Sequence, residues 1–431
     1  MTSAGSVSAR ASRGSAAEIA ADFNGAEPQQ TEIGRPWRPD DRSAIVPRVR
    51  AITRTAVLLG LSLGTACAGD LPISERIAST RVLAIRSDVI APLMPEDAAL
   101  ATRCEALPFE QVRLTPWVVT PEGPLDLTDQ DNFDPVWIAC NLGPGRGLFG
   151  CIKDAFPLAL ADLPTCPVPS FADLGAAQDL LQEMHGPCIL PDDGTPDGIQ
   201  DFTVPLAGNL LIGGDLEITM ISRSPGSPTT AECAEPFLAD ESELPNDCLY
   251  AVQRVSVGPT ERLLALAAMF GVELPPELGE PPDPEDIPDG DRNPRIQDFQ
   301  VLLIHPDEED EDLGPQPRGA VIQAEPGDTL KIITNAAEDD LQEYLVPING
   351  GAGGSEAKTE AYDGSWFRTW GTLLANGSDD PMSMDDWTMK RGTQDETEQA
   401  PDNRAVLYYV LRDGRLGIDW WWISVELPPP G

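Results

Sequence analysis

Histidine is almost missing from this chain: His185 and His305 are the only two among 431 residues. So little imidazole leaves almost no material for a Ser–His or Cys–His nucleophile pair, or for a His-rich zinc site. No C-x-x-C pair occurs, so zinc modules built on local cysteine spacing are not expected. A Walker phosphate loop and an H-E-x-x-H helix are also lacking. Basic residues are scarce, with 29 Lys and Arg against 71 Asp and Glu, for a net charge of −42. A field of that sign repels nucleic acid and anionic headgroups and attracts cations, which excludes a nucleic-acid partner. Long hydrophobic runs are missing as well. The most apolar stretch, residues 56–66, is far shorter than the roughly 20 residues of a membrane-spanning helix.

That short run has the length of a signal-peptide core. Arg48, Arg50 and Arg54 precede it, with no acid between Asp41 and Asp70, and Gly64-Thr65-Ala66-Cys67 closes it. The ending resembles the lipobox of bacterial lipoproteins, with Gly64 where the family prefers a Leu-like residue. The resemblance implies lipidation of Cys67 and attachment to a membrane through that anchor. Ala68, rather than Asp, follows the cysteine, and this implies sorting to the outer membrane or cell surface. Residues 1–45 are rich in Ala, Ser, Arg and Pro and read as disordered or as a mis-assigned extension. A chain starting at Val46 would carry an ordinary signal over 46–66, followed by a tether over 67–79.

What the chain has in quantity is turn formers, 43 Pro and 38 Gly, and short alternating runs. Residues 81–89, 112–120, 135–141, 201–205, 216–222 and 248–257 read as strands. Helices are expected over 175–185 and over 260–271, the latter with Thr260 as N-cap and Gly271 as stop. Residues 272–294 are rich in proline and acids and read as a semi-stiff linker. A second set of strands follows within 295–427, ending in a hairpin that turns at residues 413–417. The expected fold class is therefore all-β: a cysteine-containing sandwich over 80–271 with a few short helices, and a second sandwich over 295–427. The order "RVLAIRSD", "PVWIAC", "DRNPRIQDF", "EPGDTLKI", "SWFRTWGTL", "LYYVLRDGRLGIDW" behind the lipobox resembles secreted lipoproteins of myxobacterial type. Those proteins carry immunoglobulin-like or PKD-like sandwiches, and the resemblance implies export, anchoring and such domains, but no catalytic residues.

Site candidates are few. Seven cysteines follow Cys67, all between 104 and 248, as in a disulfide-bonded domain of an oxidising compartment. Three bridges and one free thiol allow 105 arrangements. Neighbours in sequence suggest Cys140–Cys151, Cys166–Cys188 and Cys233–Cys248, with Cys104 a buried inert thiol or else a reactive one. Asp193, Thr195, Asp197, Gly198 and Asp201 follow the spacing of a calcium loop, but Val204 replaces the acid that should close it. Calcium at Asp193, Asp197 and Asp201 therefore competes with a solvated acidic loop. Asp286, Asp289 and Asp291 form a weaker second set, and the six acids of 307–312 read as a solvated hairpin tip. On the last strand, Ile423 and Val425 share the core side with Trp421. Trp420 and Trp422 then face outward, either as a surface for a protein or glycan partner or packed against the other domain. The function these features suggest is a non-catalytic binding or structural module of the cell envelope. A carboxylate-based hydrolase and a calcium-stiffened spacer or adhesin are the alternatives.

Overall fold

A computed structural model describes residues 75–429, apart from 95, 97–99, 128–132, 143–148, 170–185, 193–197, 208–209, 211–214, 226–228, 242, 270, 272–282, 284–285, 348–354, 376, 379–381 and 390–399. The helix expected over 175–185 lies outside the described residues. Among those described, strands dominate and antiparallel pairing prevails, as the turn-rich composition predicts.

In the first half, β1 (Arg81–Ala91), β2 (Gln111–Thr120), β3 (Gly123–Pro124) and β6 (Gln200–Thr203) form one sheet. The strands β5 (Cys188–Ile189), β4 (Val136–Leu142), β7 (Asp215–Arg223) and β8 (Cys248–Ser256) form a second, in that order. Their facing sides share one core: Ile85, Val112, Leu114 and Val118 meet Trp137, Leu216, Ile218 and Met220. Side chains alternate along a strand, so even residues of β2 enter this core while Trp117 and Val119 point away. A bulge between Val82 and Ala84 shifts the register, so that Val82 and Ile85 both reach the same core.

The back of the second sheet is covered by α1 (Gly150–Asp154) and α2 (Thr230–Leu238). Thr229 and Glu232 close a reciprocal capping box that starts α2. Three disulfides hold this layer: Cys140–Cys151 ties β4 to α1, Cys233–Cys248 ties α2 to β8, and Cys166–Cys188 ties a loop to β5. The pairing by sequence neighbours holds, and Cys104 is free and buried. The expected helix after β8 is present as α3 (Thr260–Met269).

The second half holds two five-stranded sheets. One runs β10 (Glu311–Pro315), β9 (Ile296–Ile304), β12 (Thr329–Ala336), β18 (Met382–Thr388), β16 (Thr372–Leu373). The other runs β11 (Ala320–Gln323), β20 (Ile418–Glu426), β19 (Arg404–Arg412), β15 (Asp363–Arg368), β17 (Gly377–Ser378). Here β11 lies parallel to β20. A separate hairpin joins β13 (Glu343–Pro347) to β14 (Ser355–Thr359). Phe299, Val301 and Leu303 face Leu407, Tyr409, Leu411, Ile423 and Val425 across the core, with Trp366 and Trp387 inside it.

The run "VLYYVL" of β19 is buried on both faces, as an uninterrupted apolar strand should be. Odd residues fill the second core, whereas Val406, Tyr408 and Val410 meet Ala84, Trp117 and Val119 of the first half. Four sheets are thereby stacked with three apolar layers between them, and residues 70–431 form one unit.

Two boundaries read from composition change. The expected tether 67–79 is described from Glu75 onward, and there it is pinned. Ile77 donates to the Arg368 carbonyl at 2.8 Å and is 1% exposed. The expected linker 272–294 ends in a buried segment, with Asp291 and Asn293 at 0% exposure. It runs antiparallel beside residues 102–104: Cys104 N donates to Asp291 O at 2.9 Å, and Asn293 N donates to Thr102 O at 2.9 Å. Backbone pairing therefore fixes a stretch whose prolines and acids read as solvated.

Candidate functional site

The residues proposed from sequence scatter. Cys67, Asp193 and Asp197 lie outside the described residues. Asp201 is on β6, where the Arg113 guanidinium grips both its oxygens at 2.8 Å. This fork makes Asp201 the ion-pair partner of Arg113 in the structure, while the rest of the expected calcium loop lies outside the described residues. The acids of 307–310 sit exposed between β9 and β10, as expected.

Of the two readings of Trp420 and Trp422, packing against the other half is the one the structure shows. They are half-buried against the first half, where Trp117 stacks on Trp420 at 5.4 Å between centroids and meets Trp422 at 6.4 Å. Tyr408 adds an edge contact to Trp117 at 5.7 Å and donates to Thr120 O at 2.8 Å. The outward face of this strand is the joint between the halves. Trp421 faces the second core and stacks on Phe299 at 6.0 Å, as parity required.

Two short matches to catalytic patterns also lack their context. Gly60–Gly64 follows G-x-S-x-G but lies outside the described residues. Gly145–Gly150 follows G-x-G-x-x-G, yet it leads into a five-residue helix beside an antiparallel sheet, whereas nucleotide binding needs a βαβ unit.

The joint also holds a dense buried set of ionisable groups. Arg103, 0% exposed, donates to Glu110 at 2.7 and 2.8 Å, to Glu96 and to the Glu105 carbonyl. Burial alone would lower its pKa, but Glu110 and Glu96 outweigh that and hold it above the ordinary value. Arg415, from the β19–β20 turn, reaches Glu360 at 2.8 Å, Glu105 at 3.3 Å and Asp291 at 3.7 Å. Asp413 starts that turn, and its Oδ1 accepts from Arg415 N at 2.8 Å and Gly417 N at 3.0 Å. The same carboxylate occupies the place a Cβ at Gly417 would take, so only glycine fits there.

Cys104, Asp291 and Asp413 converge: each offers a donor atom within 4.8 Å of the other two, and all three are buried. Cys104 Sγ lies 3.2 Å from Asp291 Oδ2. Burial, then repulsion from Asp413, pushes the Asp291 carboxyl up to about 9; burial pushes Asp413 to about 6. Burial and the two aspartates also drive the Cys104 thiol well above its ordinary value. No signal in the sequence could join these three, since they stand 187 and 122 positions apart along the chain.

An open cleft of about 650 Å³ lies where Pro121 and Glu122 of the first half meet the rims of β9, β12 and β20. Six carboxylates line it, Glu122, Glu311, Glu325, Asp328, Asp402 and Glu426, together with Arg404 and His305, and no Phe, Tyr or Trp among the described residues. His305 Nδ1 lies 3.0 Å from Asp328 Oδ1, and this hydrogen bond raises the imidazole pKa above 6.5. A raised folded value means the charged ring favours the fold at low pH and that the gain fades as pH rises through it. Proton NMR is expected to show His305 titrating above the ordinary histidine range and returning to it in Asp328→Asn. An unchanged titration in that variant counts against the pair.

The chain matches no family model and no curated protein. Among solved structures, dimeric latent PorU from Porphyromonas gingivalis matches with 11% identity and a TM-score of 0.18. The match covers 83% of this chain and 24% of that one. No family is shown.

Proposed function

We propose that this is an exported, lipid-anchored protein of the cell envelope, held at the outer membrane or cell surface through Cys67. It acts there as a non-catalytic binding or structural module built of two immunoglobulin-like sandwiches. The observation that carries the reading is the set of three disulfides at 140–248, downstream of a short apolar run that ends at a lone cysteine. Bridges of that kind persist in oxidising compartments, and the run at 56–66 supplies the export such compartments require. No helix among the described residues is long and apolar enough to cross a membrane. The acyl chains that a lipobox cysteine receives supply the attachment in this reading. Four stacked sheets with three apolar layers suit a rigid body carried away from a membrane, and the acid-lined cleft suits a cationic face of a protein or glycan partner.

Membrane fractionation of wild type and Cys67→Ser, with intact-mass analysis, tests the anchor. The wild type is expected in the membrane fraction with acyl mass added, and the variant in the soluble fraction without it. A soluble, unmodified wild type overturns the proposal.

A further inference from the structure

We propose that Cys104, Asp291 and Asp413 bind one divalent, thiol-tolerant cation of the zinc class, which pins the first half, the 289–293 segment and the final hairpin together. The three donors come from three separate stretches of chain and meet within 4.8 Å of one another at 0–2% exposure. Donors about 2.0–2.3 Å from a tetrahedral ion stand roughly 3.3–3.8 Å apart, so a small contraction completes the site.

Two carboxylate oxygens there lack a hydrogen-bond donor although fully buried: Asp291 Oδ1 and Asp413 Oδ2. Arg415 Nη1 comes only to 3.7 Å of the first. Buried polar atoms are almost always satisfied, and an orphaned pair beside a thiol is the arrangement a metal resolves. Charge points the same way. Glu105, Asp291, Glu360 and Asp413 are all at most 5% exposed, and the guanidinium among them, Arg415, touches three of the four. Negative charge is in excess, and either a cation or shared protons must balance it.

The donor chemistry selects the ion. Thiolate sulfur disfavours calcium and magnesium, which prefer all-oxygen shells, and suits zinc, which accepts sulfur and carboxylate together. Binding displaces the thiol proton and any proton shared between the carboxylates, leaving a fourth position for water or a second carboxylate oxygen. The sequence rule that excluded zinc concerns ligands spaced a few residues apart. It does not reach a site assembled across the fold.

The full chain carrying Cys67→Ser leaves Cys104 as the unpaired thiol and provides the test. Expressed with zinc and purified without chelator, it is expected to hold one equivalent by elemental mass spectrometry. Expressed with cobalt(II), it is expected to show a near-ultraviolet thiolate-to-cobalt band. Adding Cys104→Ser should abolish the band, while Asp193→Asn/Asp197→Asn should leave it. The band in the Cys67→Ser chain reports sulfur ligation even where Cys104→Ser fails to fold. Substoichiometric metal, or bound cobalt without the sulfur band, overturns the proposal.

Discussion

Arg103→Met is expected to destabilise the protein by about 3–5 kcal/mol, the usual cost of removing one partner from a buried ion pair. Glu110 is 0% exposed and would keep two backbone donors, Leu107 N at 2.8 Å and Leu93 N at 2.9 Å, but lose the guanidinium that binds both its oxygens. The guanidinium also binds Glu96 and the carbonyl of Glu105, so its loss frees groups in three stretches of the joint. Adding Glu110→Gln removes the stranded charge and should restore a large share of the loss. Chemical denaturation of the single and double variants measures both terms. A single variant within 1 kcal/mol of wild type would show that the pair carries no weight.

Trp117→Ala is expected to cost about 3–5 kcal/mol, as other large-to-small changes in packed cores do. The ring is 4% exposed and sits among Tyr408, Trp420 and Trp422, so truncation opens a hole between the sheet of β1 and β2 and the sheet of β19 and β20. Neither sandwich core contains this residue. The damage should therefore fall on the coupling of the halves, with unfolding splitting into two transitions and protease entering the joint first. Retention of one cooperative transition at wild-type stability would defeat the idea that this layer couples them. Trp421→Ala belongs to the second core and should lower stability without separating the transitions.

How much could be read from the sequence follows from how local each signal is. Strand runs such as 81–89 and 216–222 alternate over a few residues, and both are strands in the structure. Neighbouring cysteines close short loops, and the three bridges link sequence neighbours. Strands β10 and β18 escaped because acids such as Glu311, Asp312, Asp385 and Asp386 depress strand propensity, although sheet pairing holds both in place. The parity of Trp420, Trp421 and Trp422 was legible; what covers the outer face was not, because Trp117 lies about 300 residues away in sequence.

The sequence alone therefore determined the β-rich architecture, suggested the bridges and marked the apolar face of strands such as the last one, since all of these depend on residues close together in the chain. Tertiary structure alone decided that the halves share a buried seam and that 290–293 is core. It alone placed Cys104, Asp291 and Asp413 together. Those outcomes depend on which distant surfaces exclude water from one another, and no periodicity or spacing encodes that choice.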